Sequence, residues 1–372
     1  MWKTEEGSSG RLLQLCFGYF FFYTIYSVVL KYFTSGPAKS MSEPTFAVYS
    51  TIAGSLVCLS VVLALRWYRL ESNRRIQVAG LSLPSELLYI VPSGLCTAII
   101  IPSTTLLYSL PISVMVAMVI MRGSVIIISR VVDEVQLRQG ILQKNVRWEE
   151  NVAVLFALSA VVVAVIPNVL SGKSKAPSGA TLSMTVGAFI LLAYLISYAL
   201  RIYIMNYYKN TRGKGVKLDN NGFFALEQMS ASFFLLLFGF VLYNATSWFS
   251  VDVASLRDIN AAIATPNEKW SSAFMAGMVF GTVSFFSVFI FMFKGRTATF
   301  AGLVNRLTSL ISGTAATLIT WLFFGGKPTI LWDWVALGCI FGAVAFLTRA
   351  EKNRGAPAAP ASMTSPLLKP AV

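Results

Sequence analysis

Long apolar runs, each roughly the 20 residues that a helix needs to cross a bilayer, recur along the whole chain between short polar stretches. Ten such runs can be distinguished. The pattern therefore predicts an all-α membrane protein with ten transmembrane helices. The predicted spans are residues 11–32, 44–66, 87–109, 111–133, 150–170, 181–206, 222–245, 271–293, 296–323 and 330–348.

The positive charges are distributed unevenly between alternate loops of this map. Of the 30 Lys and Arg residues, 21 lie in the termini and the even-numbered loops, and 7 lie in the odd-numbered loops. Lys and Arg accumulate in cytoplasmic loops, so both termini are expected to be cytoplasmic. This topology explains the net charge of +14 without nucleic-acid binding and makes the lipid bilayer a partner. It does not distinguish a bacterial inner membrane from a Golgi or other endomembrane.

Two arginines lie deep inside apolar runs at matched places. Arg122 and Arg306 are 184 positions apart, and the same offset aligns Trp148 with Trp332 at the starts of spans five and ten. It also aligns Ser103 with Ser287, so one offset serves three consecutive spans and indicates an internal repeat. Each half then contains five spans, and because five is an odd number the two halves enter the membrane from opposite sides.

The sequence therefore predicts two inverted repeats. Near the start of each repeat the offset becomes 170, which aligns Lys31 with Arg201. The expected organisation is a cytoplasmic N-terminus at residues 1–10, a first five-helix repeat at 11–170, a second at 181–348 and a disordered cytoplasmic tail at 349–372.

A charge near the bilayer centre costs about 2.5–3.5 kcal/mol on insertion scales, so Arg122 and Arg306 are candidates for function. Inverted repeats bind substrate near the membrane midplane and expose it to each side in turn. A guanidinium binds phosphate or carboxylate through two parallel hydrogen bonds. We expect both arginines to face a central cavity and bind an anionic group. The alternative is that each pairs with a carbonyl or an acid and only locks helices together.

Further candidates for substrate binding lie on spans one, six and nine. Lys31 and Arg201 occupy matched positions, although snorkelling to the interface would also explain them. Tyr26 and Tyr198 could stack on a ring of the solute or serve as packing residues. Asn305 could donate a hydrogen bond to a polar ligand.

Few residues offer other chemistry. Glu227 is an acid well within an apolar run, where it could couple transport to protons, balance an arginine or face the cytoplasmic mouth. The chain has no histidine, and its four cysteines form no CxxC pair. We therefore expect no metal site, no cofactor and no enzymatic activity.

The stretch Met118-Val-Ile-Met-Arg-Gly-Ser-Val-Ile-Ile-Ile resembles the Gln-Met-Leu-Arg-Gly-Ser/Ala motif of span four in one family. That family is the drug/metabolite transporter superfamily, in its nucleotide-sugar-transporter-like or EamA-like branch. Lys31 resembles the lysine near the end of span one in nucleotide-sugar and triose-phosphate carriers. The resemblance covers about residues 11–350. It implies a central cavity, alternating access and often exchange of solutes.

The sequence thus predicts a secondary transporter of a small organic anion, such as a nucleotide sugar or a phosphorylated metabolite, driven by exchange or proton coupling. One alternative is an exporter of amino acids, drugs or other metabolites in which the arginines are structural. Another is a membrane scaffold without transport activity. A homodimer is also left open. The identity of the solute, the transport direction and the coupling ion are not decided by the sequence.

Overall fold

The computed structural model describes residues 8–34, 40–78, 81–108, 114–142, 146–163, 184–213, 215–249, 254–325 and 331–355. The chain is almost entirely helical, with one antiparallel hairpin between its second and third helices. The helices are α1 (Ser9–Thr34), α2 (Glu43–Ala64), α3 (Leu87–Tyr108), α4 (Val114–Arg138), α5 (Trp148–Val163), α6 (Met184–Asn210), α7 (Asn220–Phe249), α8 (Ala254–Ala264), α9 (Trp270–Phe291), α10 (Ala298–Phe324) and α11 (Leu331–Gly355), and the strands are β1 (Arg75–Val78) and β2 (Leu81–Pro84).

Within the described ranges, eight helices are long and apolar enough to cross a membrane, namely α1, α2, α3, α6, α7, α9, α10 and α11. This composition fits a multi-pass, all-α integral membrane protein, as the sequence predicts. The other two predicted spans correspond to α4 and α5. Helix α4 carries four charged residues before Val135, and α5 is described over only 16 residues.

Three features of the fold differ from the sequence prediction. The sequence prediction contains neither the hairpin nor helix α8, because both segments are too short to give the signal of a membrane span. Helix α11 continues to Gly355, so the predicted disordered tail is wrong for residues 349–355. That last turn is held in place because Asn353 donates a hydrogen bond to Glu149 and Glu351 pairs with Arg296. The predicted tail beyond Gly355, the end of span five after Val163 and the first residues up to Gly7 lie outside the described residues.

The main helix contacts join the first half of the chain to the second. Helix α1 packs against α9 and α10, α2 against α9, α3 against α6 and α7, α4 against α6 and α10, and α5 against α11. Two large apolar clusters result. One surrounds Phe223 and Phe224 of α7, and the other surrounds Leu303 and Leu307 of α10.

Helices α4 and α10 run antiparallel and are fixed at one end by a buried carboxylate. Asp133 of α4 accepts hydrogen bonds from the backbone amides of Ala298 (2.8 Å) and Thr299 (2.6 Å), at the positive N-terminus of α10. A methyl group added to Gly302 would lie 2.4 Å from Ser129 Oγ, so only glycine allows the helices this approach. Beyond this contact, Arg122 of α4 lies beside Gly313 of α10.

The described chain ends and several connections meet at one end of the bundle. Ser9 donates to Glu351 (2.7 Å), and Glu351 pairs with Arg296 in the connection before α10. Lys209 at the end of α6 donates to the backbone carbonyl of Arg296 (2.8 Å). Arg212, just beyond α6, pairs with Glu86, which precedes α3. The grouping agrees with the sequence prediction that the termini and even-numbered loops share one side, while the assignment of that side to the cytoplasm stays a prediction.

The crossing of α2 and α9 depends on small residues. A methyl group on Gly277 would lie 2.4 Å from the carbonyl oxygen of Ser50, and one on Gly281 would lie 2.7 Å from that of Gly54. Both neighbours are backbone atoms, which cannot move aside without displacing a helix. The helices therefore pack at a distance that only glycine permits.

Gly277→Ala should destabilise the protein by about 1–3 kcal/mol, because the added methyl group overpacks this crossing. Thermal unfolding of the purified protein in detergent measures the effect. The matched control is Gly239→Ala in α7, where the added methyl group would meet no described atom within 4 Å. Equal melting temperatures for the two variants would contradict the prediction.

Glu86 links the connection after α2 to the one after α6 and carries a pH dependence. Burial disfavours its charged form, but hydrogen bonds from Ser72, the backbone of Asn73 and Arg212 outweigh this effect. The pKa of Glu86 is therefore held below its ordinary value of 4.5.

Because this pKa is lower in the folded than in the unfolded protein, the stabilisation by Glu86 is complete above pH 4.5 and is lost as the pH falls through the folded value. Glu86→Gln should lower the melting temperature at neutral pH and remove part of its decline below pH 4.5. Melting temperatures recorded across this range test the prediction. Glu268→Gln, at an exposed site, is the control and should leave the acid decline unchanged.

Candidate functional site

Arg306 of α10 has an unsatisfied donor within the bundle. Its guanidinium lies over the ring of Tyr198 of α6, 5.1 Å from the ring centre. Its Nε atom is buried and has no hydrogen-bond partner among the described residues. Buried donors are nearly always paired in proteins, because an unpaired one loses its interaction with water without compensation. The arrangement therefore leaves an unfilled place for an acceptor at Arg306.

Arg122 reaches the same region from α4. It is half-buried, and its Nη1 atom lies 4.0 Å from the position of a methyl group added to Gly313. Tyr19 of α1 packs in the same apolar cluster as Leu303 and Leu307, which flank Arg306 on α10. No ion pair between a described carboxylate and either arginine is present. Both arginines therefore lie along α10, one at position 306 and one beside Gly313, without a neutralising acid from the described part of the chain.

Four tyrosines form two ring pairs next to the arginines. Tyr19 stacks on Tyr23 with ring centres 5.5 Å apart, and Tyr194 lies 4.8 Å from Tyr198. Tyr26 is placed differently, since its main ring contact is with Phe280 at 4.4 Å. Tyr198 therefore belongs to the arginine cluster, whereas Tyr26 belongs to a neighbouring aromatic group that Tyr23 connects to the cluster.

Lys31 lies at the end of α1, and its Nζ atom donates to Thr317 Oγ1 of α10 at 2.5 Å. Thr317 follows Arg306 by three helical turns and so lies on the same face of α10. Gly313 lies on that face too, two turns after Arg306. This face of α10 thus presents Arg306, then Gly313 with Arg122 beside it, then Thr317 with Lys31.

Arg201 is the sequence-predicted site residue whose contacts differ most from expectation. Its guanidinium forms a bidentate pair with Glu227 of α7, with Nε–Oε1 at 2.8 Å and Nη2–Oε2 at 3.0 Å. The hydroxyls of Ser93 (2.6 Å) and Thr97 (3.3 Å) of α3 donate to the same carboxylate. In this conformation Arg201 is therefore neutralised by Glu227. This corrects the prediction that Arg201 binds an anionic solute.

Glu227 has contacts of the kind expected for a residue that balances an arginine. Its side chain is fully buried and receives four hydrogen bonds, two of them from a guanidinium. Such donors stabilise the negative charge of a carboxylate. The contacts therefore explain how a buried acid is accommodated here, and proton coupling by Glu227 stays a prediction.

Asn305 is turned away from its neighbour Arg306. Its Nδ2 atom donates to Ser287 Oγ of α9 at 2.9 Å, and the side chain is 1 % exposed. This bond ties α10 to α9 within the bundle. The predicted ligand contact of Asn305 is therefore replaced by a helix-to-helix contact in this conformation.

The sequence reasoning missed Tyr19, Gly313 and Thr317. Each could have been found from helical spacing, because Tyr19 precedes Tyr23 by one turn and the other two follow Arg306 at intervals of 7 and 11 residues. Periodicity places residues on a shared face without saying which face lines the site. That information comes from the packing of α1 and α4 against α10 and of α6 against α4.

Comparison with protein-family models finds no match, and comparison with curated proteins finds none either. Among solved structures, the chain is similar to a protein described only as "Crystal structure of protein". The two share 14% sequence identity with a TM-score of 0.50, over 94% of this chain and 100% of the other. This likeness concerns the fold alone.

Glu227→Gln should destabilise the protein by about 3–5 kcal/mol, because it leaves the buried Arg201 guanidinium without its counter-charge. The double variant Arg201→Gln/Glu227→Gln should regain much of this loss. Equilibrium unfolding in detergent measures both variants.

The control for this pair is Glu134→Gln, which removes a carboxylate paired with Arg138 at 3.1 Å on the exposed end of α4. Exposed pairs contribute about 0–1 kcal/mol, so this change should be small. If Glu227→Gln were no more destabilising than Glu134→Gln, the pair would not be a structural requirement.

Proposed function

We propose that the protein is a secondary transporter of the drug/metabolite type, which moves a small organic anion across a membrane by alternating access. The favoured solutes are nucleotide sugars and phosphorylated metabolites. The single observation that carries the proposal is the pair of arginines, Arg122 and Arg306, without a described counter-ion.

The pairing of the helices supports two related halves. Suppose that α1 corresponds to α6, α2 to α7, α3 to α9, α4 to α10 and α5 to α11. Exchanging corresponding helices turns the contact α1–α9 into α6–α3, α2–α9 into α7–α3 and α1–α10 into α6–α4, and it leaves α4–α10 and α5–α11 unchanged. All of these contacts are present. Two repeats of one five-helix unit would produce such a set of contacts, which is the same before and after the exchange.

The direction of the helices agrees with an inverted relation between the halves. A two-fold axis in the membrane plane maps each helix of one half onto a helix of the other half that runs in the opposite direction. Helices α4 and α10 are antiparallel, since Asp133 near the end of α4 caps the start of α10. Helices α5 and α11 are antiparallel as well, because Glu149 meets Asn353 while Phe156 lies beside Gly342.

The chemistry of the site favours an anion. Each guanidinium can supply a two-pronged set of donors to a phosphate or carboxylate. A cation in a poorly hydrated site is destabilised unless an opposite charge accompanies it, and the solute would supply that charge. Tyr19, Tyr198 and their ring partners would contact the remainder of the solute.

Exchange is the favoured form of coupling. The buried acid best placed to carry a proton, Glu227, is engaged by Arg201, Ser93 and Thr97. The anion itself would neutralise the arginines. If the arginines need a bound anion each time the site changes sides of the membrane, the carrier can return only with a second anion bound. That cycle is exchange.

To test the proposal, a thermal-shift screen of nucleotide sugars, sugar phosphates, amino acids and cationic drugs first identifies a stabilising ligand. Uptake of that ligand is then measured in proteoliposomes preloaded with the same compound. Arg306→Gln and Arg122→Gln should each reduce exchange at least about tenfold, because each loses charge-assisted hydrogen bonds worth about 1.5–3 kcal/mol.

The matched control is Arg130→Gln on the same helix α4, which removes the same charge at a site paired with Glu134 and Asn151. It should exchange at the wild-type rate. Full activity of both Arg122→Gln and Arg306→Gln would contradict the proposal and favour an exporter with structural arginines. A protein that neither binds nor moves any compound of the screen would favour a scaffold.

A further inference from the structure

Gly313 differs from the other glycine of α10 that faces α4. Among the described atoms outside its own helix, a methyl group on Gly313 would meet only Arg122 Nη1 within 4 Å. Gly302, by contrast, is packed tightly against Ser129. Gly313 is half-buried and lies on the face of α10 that also carries Arg306. Its missing side chain therefore leaves room directly beside the Arg122 guanidinium.

The Arg122 guanidinium and the backbone of Arg306 lie at different levels along this face. Arg122 is level with Gly313, which follows Arg306 by seven residues or about 10 Å along the helix axis. A helical side chain leans toward the N-terminus of its helix, so that of Arg306 extends away from Gly313. Tyr19 of α1 packs against this part of α10, in the cluster that contains Leu303 and Leu307.

A single carboxylate or phosphate is too small to reach both arginines across about two helical turns. We propose that the site takes an elongated solute with an anionic group at each end, one held by Arg306 and one by Arg122, and that Gly313 determines this specificity. The inference rests on the proposed transport function. The neutral middle of the solute would pass along α10 between the two arginines and against the tyrosine rings.

The role of Gly313 is steric, because it admits the second anionic group. A leucine at this position would fill the room beside Arg122 without removing either positive charge. It would exclude the group bound at Arg122 and leave Arg306 free to bind the other. An alanine would reach only ordinary contact distance from Nη1, at 4.0 Å, and should have a smaller effect.

The experiment is calorimetric titration of the purified full-length protein with two probes. Hexane-1,6-bisphosphonate carries an anionic group at each end, and propylphosphonate carries one. Wild-type protein should bind the bisphosphonate at least tenfold more tightly. Gly313→Leu and Arg122→Gln should reduce its affinity to that of the single phosphonate, whereas Arg306→Gln should weaken both probes.

The control is Gly338→Leu, on an exposed face of α11 where the added side chain meets no described atom within 4 Å of its Cβ position. It should leave both affinities unchanged. If Gly313→Leu fails to fold, Gly313→Ala supports the inference through a selective loss of bisphosphonate affinity of about twofold or more.

Equal wild-type affinities for the two probes would overturn the inference, as would a Gly313→Leu or folded Gly313→Ala protein that still prefers the bisphosphonate as strongly as wild type. The proposed function would survive either result if Arg306→Gln still abolished exchange. It would fail separately if Arg122→Gln and Arg306→Gln both left exchange unchanged.

Discussion

A guanidinium inside an apolar helix bundle is stable when acceptors match its donors, and two arginines of this protein differ in how far the described chain supplies those acceptors. Arg201 is paired within the protein, by Glu227 on the neighbouring helix, and two hydroxyls complete the shell of that carboxylate. Arg306 retains a buried Nε without a described partner. The first arrangement produces a fixed contact between α6 and α7. The second leaves a buried donor that a bound anion would satisfy, and the proposed function depends on this difference.

The fold positions the second arrangement through the packing of α4 against α10. Asp133 fixes the start of α10 by binding two of its free amides, and Gly302 lets Ser129 approach the α10 backbone. Both contacts lie toward one end of the helix pair, and the arginines lie farther along it. Because the helices are antiparallel, the side chain that α4 contributes beside Gly313 is Arg122. The packing of α4 against α10 thus joins the two halves of the chain, and it also places Arg122 beside the face of α10 that carries Arg306.

Much of this architecture follows from hydropathy, because a run of about 20 apolar residues can satisfy its backbone in a membrane only as a helix or barrel strand. The positions of α1, α2, α9 and α10 are therefore close to those predicted. The hairpin and α8 carry no such signal. Likewise, the sequence singled out Arg122 and Arg306 by their charge, but the same reasoning placed Arg201 and Asn305 in the site. Their partners Glu227 and Ser287 lie 26 and 18 residues away, and only the packing of the helices shows that these distances close.

Lys31 and Arg201, which the sequence predicts to be matched at an offset of 170, have different partners. The cation of the second half is neutralised by an acid, whereas that of the first half donates to Thr317 on the face of α10 that carries Arg306. The contact of Arg201 ties α6 to α7, whereas that of Lys31 ties α1 to α10. The two cations therefore stabilise different pairs of helices, one through a carboxylate and the other through a hydroxyl.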